Sequence, residues 1–389
     1  MTAEVARSPE VLPWNRPQLG PEEIDEVIDT LRSGWLTTGP KTARFELGVR
    51  ELTGAEDAFA VNSCTAALHL ALLVSGIGPG TEVITPSLTF CAVANVVVRV
   101  GATPVFVDVE PDTLNLDPEQ VASAVTDRTR VIVAMHYGGH PCEMDRLRQM
   151  ADDHDLLLLE DAAHAIGADY RGRPVGSLGD AAAFSFYANK NMTTGEGGML
   201  VGRADLVSAA RLLGRHGIDR GAWLRHGSRG PAEYDVVDAG LKYNMSDILA
   251  AIGLHQLRRL PAFIARRTEI AERYTHELAD LSALWLPRAA GHVRHAWHLY
   301  PVQIDPDRAG LDRDGLAASL AAAGIGTSMH FTPIHRLRTY RGLADPATLP
   351  HTERAADRLL SLPCYPAMSD DDVGRVVGAV RRALMERRP

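Results

Sequence analysis

Lys190 stands in Phe184-Ser185-Phe186-Tyr187-Ala188-Asn189-Lys190-Asn191, between an aromatic, strand-like run and the glycine turn Gly195-Glu196-Gly197-Gly198. Upstream, Asp161 closes a run of leucines that begins at Leu156. Most lysines are solvated surface charges. One that follows an apolar strand and precedes a turn where backbone can approach closely departs from that pattern. An amine and a carboxylate so placed are what pyridoxal phosphate (PLP) requires. The amine condenses with the cofactor's aldehyde, and the carboxylate keeps the ring nitrogen protonated so that the ring acts as an electron sink. Lys190 and Asp161 are therefore the expected catalytic pair.

The same cofactor needs a phosphate cradle and a flat surface against its ring. Asn62-Ser63-Cys64-Thr65-Ala66-Ala67-Leu68 runs from a strand end into a helix. Its small residues leave first-turn N–H groups free to face a dianion, which the helix dipole also favours. A plain helix cap by Ser63 or Asn62 is the alternative. Ser185, on the strand before Lys190, can add a hydroxyl to the same phosphate. Phe90 follows a strand end and is placed either to stack on the ring or to pack in the core. His164, on the turn after Asp161, can reach cofactor or substrate, whereas Glu160 should point the other way.

A chain of 389 residues suggests two domains, each able to bury an interior. The net charge of −9 has no basic block to offset it, which argues against nucleic acid or an anionic membrane as main partner. Cys64, Cys91, Cys142 and Cys364 form no C-x-x-C pair, which argues against structural zinc, iron–sulfur or a disulfide framework and fits a reducing cytoplasm. Met1 to Gly20 shows no signal-peptide core, and no apolar run reaches bilayer length. His292, His295 and His298 are spaced by three, but the segment Ala296–Val302 looks strand-like and the odd spacing would point successive histidines to opposite faces, so no metal site is expected. The glycines near Lys190 make neither a dinucleotide fingerprint nor a P-loop.

Between residues 58 and 200, β-type runs alternate with helical stretches. The predicted strands are Ala58–Val61, Glu82–Thr85, Thr103–Val107, Val131–Met135, Leu156–Glu160, Ala181–Phe186 and Met199–Val201. Runs that are apolar throughout imply strands covered on both faces, and the alternation implies an α/β fold with a mostly parallel sheet flanked by helices. Pro21 opens a helix with Ile24, Val27, Ile28 and Leu31 at helical spacing, and Gly34 stops it. A second helix carries Phe45, Val49 and Leu52. The loop Ser33–Pro40 between them is rich in glycine and hydroxyls and reads as functional or as a plain connector. A long helical tract from Asp247 to Leu278 should break or kink at Pro261. The domain boundary is placed near residue 255, giving a large PLP-binding α/β domain over 1–255, with the N-terminal segment free to pack elsewhere, and a small C-terminal α+β domain over 256–389.

Glu160-Asp161-Ala162-Ala163-His164-Ala165, together with Phe184-Ser185-Phe186 through Lys190-Asn191-Met192-Thr193-Thr194-Gly195-Glu196-Gly197-Gly198, resembles the DegT/DnrJ/StrS family of PLP-dependent nucleotide-sugar aminotransferases. The likeness covers nearly the whole chain and implies the aspartate aminotransferase type of fold, PLP fold type I. It implies Lys190 as the cofactor lysine, Asp161 on the ring nitrogen, Phe90 stacked on the ring, and Thr65, Ala66 and Ser185 at the phosphate. Cys64 departs from the glycine or alanine common at its place. The resemblance also implies a homodimer with shared sites, in which Asn244 reaches the partner's cofactor phosphate. Relatives with histidine in place of the lysine are dehydratases, so Lys190 favours transamination. His295–Tyr300 and Thr327–Arg336 look like the branch that aminates C4 of the sugar. The expected reaction takes nitrogen from L-glutamate, through pyridoxamine phosphate, to a dTDP-4-keto-6-deoxyhexose. His330 and the loop around Thr37 and Thr38 would meet the sugar, and Arg220, Arg225, Arg229 or Lys242 the pyrophosphate. Amination of C3 or of a cyclitol ketone, and a non-catalytic PLP-fold regulator, are the competing readings.

Overall fold

The computed structural model describes residues 11–219 and 234–385. Seven strands form its main sheet: β1 (Asp57–Val61), β2 (Glu82–Pro86), β3 (Thr103–Val107), β4 (Thr129–Met135), β5 (Leu157–Asp161), β8 (Ala181–Ser185) and β9 (Gly198–Gly202). Each expected strand is present, with ends displaced by no more than two residues. The order is β1-β9-β8-β5-β4-β2-β3, and only β9 runs antiparallel to its neighbours. Two short strands, β6 (Asp169–Tyr170) and β7 (Arg173–Pro174), form a separate hairpin.

Period-two alternation decides which side each residue serves. Ile132, Ala134 and Leu158 face one core, with Phe45 and Val49 of α2 (Pro40–Thr53). Val131, Val133 and Leu159 face another, with Leu68 and Leu72 of α3 (Cys64–Val74). Both sides are thus sealed by helices, as all-apolar parallel strands require. Truncating the fully buried Leu158 to alanine would cost about 2–5 kcal/mol.

The smaller unit is α+β. Strands β10 (Leu284–Trp285), β12 (Tyr300–Ile304) and β13 (Leu359–Leu362) pair antiparallel, and β11 (Val293–Arg294) joins the β6–β7 hairpin. Helices Arg313–Ala322 and Asp370–Met385 close a core with Tyr274, Tyr300 and Val376. Leu12 also packs there and bridges to Ile325, so the N-terminal segment belongs to this side.

Three details depart from expectation. The helix Asp247–Leu278 passes through Pro261 without a break. Leu260, Phe263 and Ile264 are buried around that proline, and their packing offsets the missing hydrogen bond. Residue 255 lies inside this helix, whose side chains up to Ile264 face the large core and from Ile270 the small one. Within Ala296–Val302 only the second half is strand. Trp297 has φ 46°, and Ala296 and Leu299 donate instead to the carbonyls of Gly139 and Gly138.

Helix α1 (Pro21–Ser33) forms where its spacing predicts but turns the opposite face inward. Glu23 and Thr30 are buried, while Ile24 is 56% and Leu31 54% exposed. Polar anchoring explains the inversion: Glu23 accepts from Gln256 and Arg259, and Glu26 from Arg44 while pairing with His255. No helix among the described residues is long and apolar enough to cross a membrane.

Candidate active site

Three strands of the large sheet and the start of one helix meet at one place. Parallel strands present their carboxyl ends to ligands there. Asp161 ends β5, Ser185 ends β8, Met135 ends β4, and the first turn of α3 supplies Ser63, Cys64 and Thr65. With Lys190, His164, His298 and His330 they line a cavity of about 480 Å³. Lys190 rides on an irregular loop that is tied on both sides. Its own N–H donates to Tyr187, Asn191 Nδ2 donates to Ala296 O at 2.7 Å, and Thr193 Oγ1 donates to Phe186 O at 3.1 Å.

The chain has only three lysines, Lys41, Lys190 and Lys242. Lys41 pairs with Glu26 and Asp29, and Lys242 donates to Asn244. Lys190 makes no ion pair among the described residues. Burial pulls its amine down to about 8, against the upward pull of Cys64 and Asp161. Asp161 moves the other way: burial raises its carboxyl, while the Ala163 N–H and the Lys190 charge restrain the shift. Its Oδ1 accepts from Ala163 at 3.1 Å, and Oδ2 has no hydrogen bond among the described residues.

Glu160 points away, as alternation requires. Its carboxylate accepts from the N–H groups of Gly176, Leu178 and Gly179 and pairs with His136 at 3.0 Å. It is a structural clamp.

Three histidines around the cavity are neutral, each held below its usual pKa first by burial and then by nearby positive charge, Lys190 included. His330 is pushed down to about 3. Asn191 donates to Ala296 O, so its Oδ1 accepts from His298 Nδ1, leaving His298 Nε2 unprotonated. His164 accepts from Gly138 N–H at 3.3 Å, and His330 Nδ1 is engaged by Ser361 Oγ at 2.8 Å. His292 pairs with Glu143, and His295 stacks on Trp297, so the spaced histidines have separate partners.

The residues present fit PLP. A cofactor carbon can meet the Lys190 amine, and Asp161 keeps an oxygen for a ring N–H. Buried Asn189 Oδ1 in the same lining has no partner, an acceptor that a ligand's donor would satisfy. At α3, Ser63 Oγ caps Ala66 N–H at 3.1 Å, so the expected cap exists and occupies that amide. The amides of Cys64 and Thr65, at the first two helical positions, have no intrahelical partner. Gly198 permits the approach of β9, since a side chain there would collide with the Ser63–Cys64 backbone.

Phe90 lies at the cavity mouth, 58% exposed, with its ring 6.0 Å from that of Phe331. Thr38 and Asn244 lie outside this chain's own cavity lining and are joined by a direct hydrogen bond. Thr38 also donates to Met245 O. Arg220, Arg225 and Arg229 lie outside the described residues.

Sequence reasoning missed the supports. Asp247 accepts from Gly39, Lys41 and Thr42 N–H and from Thr42 Oγ1 at 2.6 Å, fixing the Thr38 loop from two hundred residues away. Tyr137 Oη donates to the His330 carbonyl. No local spacing announces either. The low lysine count was the one overlooked sequence signal for Lys190.

An amine and a carboxylate facing one cavity at the carboxyl end of a mostly parallel sheet define a PLP-dependent enzyme of fold type I. Residues 17–381 match the DegT/DnrJ/EryC1/StrS aminotransferase family, and the chain belongs to it. It is 48% identical over 375 residues to the spore coat polysaccharide biosynthesis protein SpsC of Bacillus subtilis, covering 95% of this chain and 96% of that one. The PMP-form of the putative sugar aminotransferase Spr1654 from Streptococcus pneumoniae superposes with TM-score 0.90 at 34% identity, over 96% of this chain and 99% of that one. DesI, solved in the presence of its TDP-sugar product, gives TM-score 0.87 at 39% identity, over 98% and 94%. The protein is thus a PLP-dependent aminotransferase.

Proposed function

We propose that this enzyme moves an amino group from L-glutamate to C4 of a nucleotide-linked keto sugar, a dTDP-4-keto-6-deoxyhexose, in amino-sugar biosynthesis. The observation that carries the reading is the meeting of Lys190 and Asp161 with neutral His298 and His330 around one cavity. Similarity to DesI, a protein with a TDP-sugar product, supports the acceptor class.

Bound PLP supplies an electron sink for the carbanion that forms when the nitrogen-bearing carbon loses its proton. Asp161 holds a proton at the ring nitrogen. Lys190 moves the proton at the reacting carbon, and a pKa of about 8 suits an amine that both takes and returns it. The first-turn amides of α3 with Ser185 hold the phosphate, Phe90 covers the ring, and His164 lies beside it. His330 Nε2, left over after the Ser361 contact, meets a sugar hydroxyl.

The enzyme works as a homodimer with shared sites. Thr38 and Asn244 form a pair beside, not inside, their own cavity, which supports a role at the partner's cofactor phosphate and sugar. The outward apolar stripe Ile24, Ile28 and Leu31 runs directly into the loop carrying Thr38 and is the face to be covered.

The test is a panel of nucleotide keto sugars, 3-keto and 4-keto, offered with glutamate and scored by NMR for the carbon that gains nitrogen. Amine at C4 is expected. Amine at C3, or none with any member while a non-sugar ketone turns over, overturns the acceptor assignment.

A further inference from the structure

A second cavity, of about 700 Å³, shares no lining residue with the active site. It lies within the size range of small-molecule sites, roughly 300–1,000 Å³. The turn Tyr137–Gly139 stands between the two: Tyr137 and Gly138 line the second cavity, while Gly138 N–H donates to His164 and Tyr137 Oη to the His330 carbonyl. The opposite wall comes from the small sheet, through Trp285 of β10 and Gln303 of β12.

The charge of this lining is unbalanced. Arg288, Arg354 and Arg358 converge on it, against Asp112 and Asp305. Asp305 is committed to Asp307 N–H and to Arg308. Arg288 and Arg358 have no carboxylate partner or hydrogen bond among the described residues, and Arg354 bonds only His351 Nδ1, at 2.7 Å. His140 and His295 in the same lining add no charge, because burial lowers both pKa values. Neutral His140 has a mechanical part: its Nε2 accepts from Ala290 N–H at 3.2 Å, which pins the segment bearing Arg288 to the large domain.

The aromatic content points the same way. Trp285 lines the cavity while 46% exposed, and the Arg358 guanidinium lies 4.9 Å from its ring centroid. Guanidinium groups without carboxylate partners match phosphate oxygens in bidentate geometry, and a half-exposed indole offers ring surface for stacking to a flat heterocycle. We propose that this cavity is a second, non-catalytic binding site for a nucleoside phosphate, with Arg288, Arg354 and Arg358 on the phosphate and Trp285 on the base.

The test is calorimetric titration of the PLP-loaded enzyme with thymidine diphosphate, for the wild type and Arg288→Ala/Arg358→Ala. Neither arginine belongs to the catalytic machinery, so turnover without added nucleotide stays at the wild-type level. The double variant should lose one binding equivalent per chain, or bind it at least about tenfold more weakly. Equal stoichiometry and affinity in both proteins would overturn the site. The outcome is separable from the proposed sugar acceptor: an enzyme whose active site takes nucleotide goes from two equivalents to one, and one whose active site does not goes from one to none. Should the double variant fold poorly, Arg288→Gln, at an exposed position, must weaken the same equivalent. Trp285→Phe must abolish the fluorescence quenching that accompanies it. Quenching in Trp285→Phe beyond that of Arg288→Ala/Arg358→Ala, which reports the active site alone, places the ligand elsewhere and sinks the proposal.

Discussion

In the cofactor-free protein the Lys190 amine is held at about 8 because its ammonium form is poorly solvated where β8 meets the catalytic loop. A lowered pKa means that the neutral, nucleophilic form dominates at lower pH than for a surface lysine. The rate at which cofactor-free protein captures PLP is therefore expected to rise with pH until about 8 and then level off. Stopped-flow absorbance across pH 6–11 (roughly the range of lysine titration) reads this directly. A rate still climbing near pH 10 (about the value for an unperturbed lysine) would show that burial does not tune the amine. Replacing Lys190 by alanine removes the proton carrier, and turnover should fall by about 10²–10⁴-fold or more. Buried His298 and His330 stay neutral over the same range, since burial moves both downward, so the pH profile of kcat/KM should carry no histidine limb from them.

Elements position the site, and the first turn of the long helix Asp247–Leu278 fixes its outlying loop. Asp247 takes four donors from the Gly39–Thr42 segment, fixing α2 and the Thr38 loop at once. Asp247→Ala leaves these buried donors unpaired, and a loss of about 3 kcal/mol in urea unfolding is expected. An unchanged midpoint would mean that water replaces the carboxylate. The same helix shows where reading the chain stops. Strands such as Val131–Met135 were legible because covered parallel strands are apolar without interruption, and Asp161 and Lys190 were legible because their neighbours demand burial. Asp247 was not, since a lone aspartate at a helix start looks the same whether it meets water or a loop two hundred residues away. The stripe on α1 was visible but its direction was not: periodicity gives an amphipathic helix, and only the ion pairs of Glu23 and Glu26 decide which face turns inward.

At the scale of the whole molecule, the proposed dimer makes two separate demands. The stripe Ile24, Ile28 and Leu31 is exposed in the single chain, so charge placed on it meets no penalty within the subunit but opposes association. Ile28→Glu/Leu31→Glu should sediment as a folded monomer with little activity. Sharing of sites is tested by mixing two inactive chains. Lys190→Ala removes the amine from its own cavity, and Asn244→Asp is expected to disable the neighbour's by placing a carboxylate against the cofactor phosphate. In a mixed dimer one site carries both defects and the other carries neither. After the two variants are denatured together and refolded with PLP, random pairing makes half the dimers mixed, and activity should return to roughly a quarter of the wild type per chain. If Asn244 instead serves its own chain's site, every site holds one defect and mixing restores nothing, which separates an assembled active site from two independent ones that merely touch.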